Sequence, residues 1–318
     1  MKTNKFCTSF ASRLSEHIPE AGTYDEIYNR TNNKLKRIVV SDNLSIYGWD
    51  GDSTLSFDRE DMRDVRSRMH EGMHVWGYND DEYIGVSRLS DGRGYYTNEA
   101  IANSLVSRSC PEIPATHRGI DKRVFSNIRT YKEITGISDI LIRFQGLGKI
   151  LESFRDNPRN FEASFDEKFA SGFAADFITA MDNLGEFAET RNALKDQLGK
   201  STNVFKTTML NKLRAPLREM LAEHFEGTMG IVFHGYYAKQ FEEARGDAEK
   251  TARLINEIKA YPDDLCRYVN LLKDGVSLKE VFIPPVSRGF LRATPENSPK
   301  DVQSFYDGIL TPRKALFR

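Results

Sequence analysis

A mostly helical α+β fold, in which a small antiparallel sheet packs on one short helix and a large helical region follows, is predicted by three observations. Short runs rich in β-branched and aromatic residues gather in the first hundred or so positions. From about Ile120 to Phe282 the pattern is helical almost throughout, with Asn157-Pro158 and Tyr261-Pro262 as interruptions. Five prolines then fall between Pro284 and Arg318, which suits an extension along the body. The expected organisation is a first region over residues 1–110 with the sheet and two site-bearing helices, a helical region over 111–283 that completes a cleft, and a C-terminal extension over 284–318.

Phe6 to Ile18 and Tyr24 to Lys36 read as helices. Arg37 to Val40, Leu44 to Trp49 and Thr54 to Phe57 read as strands, with Asp50-Gly51-Asp52 as a hairpin turn. Asp58 resembles an N-cap with Asp61 at the third helical position, opening a helix through Met62, Val65, Met69, Met73 and Val75 that Gly77 stops. Tyr83 to Leu89 is expected as a strand, Ser90 to Gly94 as a turn, and Tyr95-Tyr96-Thr97 as the returning strand before a helix that begins near Asn98. A loop with Cys110-Pro111 and Pro114 ends this part, and Asp139 to Phe154, Val204 to Phe225 and Ala248 to Ala260 carry apolar residues at helical spacing.

His70-Glu71-Gly72-Met73-His74 falls in the last two turns of the predicted Met62–Val75 helix. Histidines four apart lie on one helical face, so both rings can offer a nitrogen to one Zn²⁺. Glu71 points about 100° away around the helix, where it can reach a water in the remaining coordination position. A tetrahedral catalytic zinc needs a third protein ligand. Glu99, on a helix returning past the first, supplies it, and Asn103 lies one turn further on the same face.

Asn98-Glu99-Ala100 downstream of His-Glu-x-x-His resembles the gluzincin branch of zinc metallopeptidases over roughly Leu44 to Val106. The resemblance implies His70, His74 and Glu99 as metal ligands and Glu71 as general base. The chain departs from the family pattern at Asn103, where many gluzincins carry an acidic residue that orients a zinc-bound histidine. An amide oxygen can accept the same hydrogen bond without the charge that raises ligand basicity. The 24 residues between His74 and Glu99 leave room for a strand, a turn and a return.

The implied reaction is hydrolysis of a peptide bond by a metal-activated water, with Glu71 carrying the proton to the leaving amine. A further donor would stabilise the oxyanion. Tyr95 and Tyr96 are candidates because they lie close to Glu99 in sequence; His234, Tyr236 and Tyr237 form the most suggestive cluster of the helical part, and Arg129 with Tyr131 a weaker pair. Leu44 to Trp49 and Thr54 to Phe57 could offer a peptide substrate a sheet edge, or simply cover the helix.

Several classes find no support. The 45 basic and 46 acidic residues are mixed along the chain and leave no footprint for nucleic acid or an anionic membrane. No apolar run is long enough to span a bilayer, and the N-terminus lacks the apolar stretch of a Sec signal. Cys7, Cys110 and Cys266 are widely spaced and read as reduced thiols. The expectation is a cytosolic protein, or one delivered to a host cytosol without a Sec signal. His17, His117 and His224 sit alone and read as ordinary surface or core residues, and Gly146-Leu147-Gly148 lacks the strand and third glycine of a nucleotide loop.

The leading functional expectation is therefore a zinc endopeptidase acting on specific intracellular proteins, such as a bacterial effector protease. Two alternatives stay open: a helical interaction module with a vestigial zinc site, and a zinc hydrolase of a non-peptide amide or ester.

Overall fold

Periodic burial of Phe6, Cys7, Phe10, Ala11 and Leu14 makes α1 (Thr3–His17) the inner helix of the first part of the molecule. The computed structural model describes residues 2–41, 48–49, 53–59, 61–79, 82–112, 134, 137–199 and 204–258. The expected strand residues Leu44 to Tyr47, the Asp50-Gly51-Asp52 turn, His117, Arg129, Tyr131, Tyr261-Pro262, Cys266 and the extension from Pro284 lie outside them. The chain divides into two compact units, one of Met1–Phe125 with Gln145–Ser164, the other of Ser126–Phe144 with Phe165–Arg318. It is α+β and mostly helical, as expected.

In the first unit, α2 (Tyr24–Lys34) opens on a capping box in which the Thr23 hydroxyl accepts from Glu26 N–H and the Glu26 carboxylate accepts from Thr23 N–H. Strands β1 (Arg37–Val40), β2 (Gly48–Trp49) and β3 (Thr54–Phe57) form a sheet in the order β1-β3-β2. The expected antiparallel sheet is in fact mixed. β3 lies in the middle, antiparallel to β2 and parallel to β1, because β2 pairs with the far side of β3. β3 alternates, burying Leu55 and Phe57.

Helix α3 (Val65–Gly77) starts later than expected. Its N-cap is Asp64, whose carboxylate accepts from both Ser67 N–H and Ser67 O–H at 2.8 Å. Asp58 caps a separate turn, accepting from Asp61 N–H at 2.6 Å. Gly77 does end the helix, for a different reason than a left-handed stop. The following residue Tyr78 is extended (φ −64°, ψ 131°), and a Cβ on Gly77 would lie 2.6 Å from Phe154 Cε1, so glycine is there to let that ring in.

The chain then enters a second small sheet of β4 (Tyr78–Asn79), β5 (Tyr83–Ile84) and β6 (Ser87–Arg88), all antiparallel neighbours. The single strand expected over Tyr83 to Leu89 is thus two strands folded at Gly85, whose φ of +55° breaks the run. Helix α4 (Tyr95–Ser109) returns across α3, and α6 (Leu147–Arg155) contributes Ile150, Leu151 and Phe154 to the same core.

The last carbonyls of α3 are held by cations from α2. Arg30 Nε donates to Trp76 O at 2.8 Å, its other nitrogens to Asn79, Asp156 and Arg155 O, and Lys34 Nζ donates to Tyr78 O. Arg30→Ala is expected to lower the unfolding free energy by about 1–3 kcal/mol, measured by urea titration. Arg30→Lys should recover only part of it, because one ammonium cannot span partners arranged for a planar fork.

The second unit holds α5 (residues 137–145, of which Gln145 counts with the first unit), α7 (Phe173–Gly199), α8 (Val204–Glu243) and α9 (Ala248–Ile258). α7 packs along α8 through Phe177, Met181, Leu184 and Ala188 on one side and Met229, Val232 and Phe233 on the other. Three helix expectations were shorter than the result or cut differently. Asp139 to Phe154 breaks at Gly146 (φ +96°), Val204 to Phe225 extends to Glu243, and the last helix ends at Ile258 within the described residues. Asn157-Pro158 interrupts as a 3₁₀ turn over Pro158–Asn160. Among the described residues no helix is long and apolar enough to cross a membrane.

Candidate metal centre

The His-Glu-Gly-Met-His segment splits its side chains between two faces of α3. Met73 is buried, and Gly72 lies under the Phe10 ring, where a Cβ would stand 2.6 Å from Phe10 Cε2. That face is core. One helical face over, His70 and His74 meet edge to face, and their Nε2 atoms are 3.0 Å apart. Two ring nitrogens this close aim at a common point, and each can offer a lone pair to a cation there when it carries no hydrogen.

Helix α4 supplies the third group. Glu99 Oε2 is 3.1 Å from His70 Nε2, and Oε1 is 3.2 Å from His74 Nε2. Ligands held about 2.0–2.1 Å from a tetrahedral ion sit roughly 3.3 Å from one another, so the three donors match the edges of such a polyhedron. His70, His74 and Glu99 are the group among the described residues that could hold a metal ion. The site is well shielded, with side-chain exposures of 15%, 9% and 6%.

Burial pushes the Glu99 carboxyl up, but the imidazoles of His74 and His70 override it and hold the group well below the usual carboxylate range. Burial likewise lowers His70, and the Glu99 charge and hydrogen bond, aided by Glu71 and Asn103, reverse that and raise it. Glu99 therefore stays anionic at neutral pH, the form that ligates a cation.

Helix α4 begins at Tyr95, three residues before the expected start. Gly94 takes φ +79° at the N-cap, and Asn98 N–H already donates to Gly94 O at 2.9 Å. Tyr95-Tyr96-Thr97 is consequently helix where a strand was expected; the left-handed turn at Gly94 and the packing of α4 on α3 outweigh the strand preference of two tyrosines. Tyr95 and Tyr96 precede Glu99 by four and three residues and so flank its face of the helix. Tyr96 is buried, Tyr95 is exposed, and their rings meet edge-on.

The groups behind the ligands come from the same helix. Asn103 Nδ2 donates to Glu99 O at 2.9 Å, and its side chain favours the charged form of the His70 ring. Asn98 spans two elements: its Oδ1 accepts from Val86 N–H at 3.2 Å, and its Nδ2 is 3.3 Å from His74 Nδ1. Asn98 had been identified only as a letter of the Asn-Glu-Ala motif. Its link to His74 spans 24 residues and three small strands, and no local spacing announces it.

Glu71 lies against β2, with Oε2 where a side chain on Gly48 would point. Asp61, half-buried, is its anionic neighbour. Burial first, then Asp58, Glu71 and Asp64, raise the Asp61 carboxyl to about 6. Neither Gly48 nor Asp61 was marked as a site neighbour by the sequence; Asp61 was expected inside the helix and stands instead in the turn before it.

His234, Tyr236 and Tyr237 belong to the second unit and take part in its own core. Tyr236 stacks on Phe144 at 4.3 Å, Tyr237 O–H donates to Glu257 at 2.8 Å, and His234 is 4% exposed. The exposed His224 ring meets Phe187 at a tilt of 30°, with centroids 4.9 Å apart, an ordinary surface contact. Burial lowers the His234 pKa to about 4. Its ordinary value is about 6.5, so folding favours the neutral ring. Stability is whole above pH 6.5 and falls as pH drops towards 4, by up to about 3 kcal/mol. His234→Phe is expected to flatten unfolding free energy against pH in that window, as read by denaturant titration.

Comparison with known proteins returns no significant match to any family model, curated protein or solved structure.

Proposed function

We propose that the chain is a zinc-dependent endopeptidase. The reading rests on one observation above the rest: two imidazoles and a carboxylate converge to 3.0–3.2 Å while a second carboxylate, Glu71, stands on the helix of the two imidazoles beside β2, an outer strand among the described residues. Two histidines with one glutamate form a nitrogen and oxygen set suited to zinc with a position left over. A purely structural site would have no use for a carboxylate at that position.

When bound, the ion supplies Lewis acidity, lowering the pKa of a coordinated water to about 7 and polarising a carbonyl. Glu71 takes the proton of the attacking water and passes it to the nitrogen of the leaving amine as the C–N bond breaks. His70, His74 and Glu99 hold the ion; Asn103 and Asn98 brace the rings. Among the described residues β2 is one of the two outer strands of the first sheet, so an extended peptide can add to it and place its backbone beside Glu71. Tyr95 and Tyr96, next to Glu99, are the nearer candidates in sequence for an oxyanion donor. The substrates proposed are specific proteins rather than bulk peptide.

The test has two stages. Purified protein should contain about one zinc per chain, and His70→Ala should lose it. A proteome-derived peptide library should then be cut by wild type and not by Glu71→Ala. Absence of stoichiometric zinc sinks the reading, and equal background cleavage by both proteins turns it towards an interaction module or a non-peptide hydrolase.

A further inference from the structure

Gly48 stands on the outer strand β2, paired with Ser56, and has φ +92°, a conformation L side chains rarely adopt. A Cβ there would lie 2.8 Å from Glu71 Oε2, 3.5 Å from Cδ and 3.7 Å from Oε1. The carboxylate thus occupies the space a side chain would need. Trp49 pairs with Leu55, and its ring meets Tyr78 edge-on at 5.7 Å, where Tyr78 directly follows α3. Strand and helix are fastened to one another immediately beside the point of approach.

We propose that Gly48 is a positioning residue for proton transfer: its missing side chain lets the Glu71 carboxylate rest against the strand edge, beside the backbone of a peptide paired along β2. The proposal rests on Glu71 acting as the base. Any L residue at position 48 drives the carboxylate off the strand and away from the bond that such a peptide presents. Position 48 acts through Glu71 alone and makes no contact of its own with the reacting atoms.

The test is a double-mutant cycle on the full-length, zinc-loaded chain: wild type, Gly48→Ala, Glu71→Ala and the double variant. Gly48→Ala should lower the urea midpoint mainly through backbone strain at positive φ, and only slightly more when residue 71 is Glu than when it is Ala, because a carboxylate at the end of a flexible side chain can move aside. Zinc content should stay at the wild-type level while kcat for peptide hydrolysis falls on the order of 10²-fold and KM changes little. Adding Glu71→Asp to Gly48→Ala should restore part of kcat, because the shorter side chain clears the new methyl group. A kcat for Gly48→Ala equal to that of wild type at unchanged zinc content overturns the proposal, as does failure of Gly48→Ala to fold both with and without Glu71. Should Glu71→Ala hydrolyse as fast as wild type, the peptidase reading fails, whereas the stability cycle still reports whether Gly48 and Glu71 are coupled.

Discussion

Glu71→Gln is expected to leave zinc content unchanged and to lower kcat for peptide hydrolysis by about 10²- to 10⁴-fold, the range general acid–base groups contribute. Three features make the effect this specific. Glu71 is on α3 next to His70, yet His70 and His74 turn their Nε2 atoms to Glu99, so the ligand set is complete without Glu71. Glutamine matches glutamate in shape and keeps the fit against Gly48, where the contact is closest. It has no basic oxygen to take the proton. Equal rates in wild type and variant would remove Glu71 from the chemistry.

Glu99→Ala should act on the metal itself. A structural zinc site contributes about 10–16 kcal/mol over its ligands, or roughly 3 kcal/mol for each of four, so loss of one ligand weakens binding on the order of 10²-fold. The loss here should be at least that large. Glu99 is the only anion of the triad, and its removal leaves two imidazole nitrogens 3.0 Å apart with no carboxylate between them to favour a cation. Competition titration with a chromophoric chelator measures the change. Asn103→Ala, which removes the amide beside His70, should cost no more than about 10- to 100-fold. If Glu99→Ala binds zinc as tightly as Asn103→Ala does, Glu99 is not a ligand.

Legibility in the sequence follows distance along the chain. The i,i+4 pair His70 and His74 needed only a helix beneath it, and the strand Thr54 to Phe57 needed only alternation; both stand where the residues put them. Boundaries set by competing local signals were less legible. Asp58 and Asp64 are both acidic residues able to cap, and the one that does so is three residues before Ser67, whose backbone and hydroxyl it satisfies together. Tyr95 and Tyr96 carry strand preference, yet they open a helix because Gly94 turns the chain and α3 offers a face to pack on. Gly77 was legible as an end and not as a contact, since Phe154 reaches it from 77 residues away.

By itself the sequence determined a mostly helical α+β protein and a helix with two imidazoles on one face and a carboxylate beside them, because helical and strand periodicities act over a few residues. Only the tertiary structure decided the rest: the approach of Glu99 to both rings, the bridge from Val86 through Asn98 to His74, and the place of Glu71 against Gly48. Those depend on how a chain returns after three small strands and on which bulky groups, Phe10 and Phe154 among them, find a glycine to pass. Packing of that kind is fixed by volume and close approach across the fold, and no local pattern carries it.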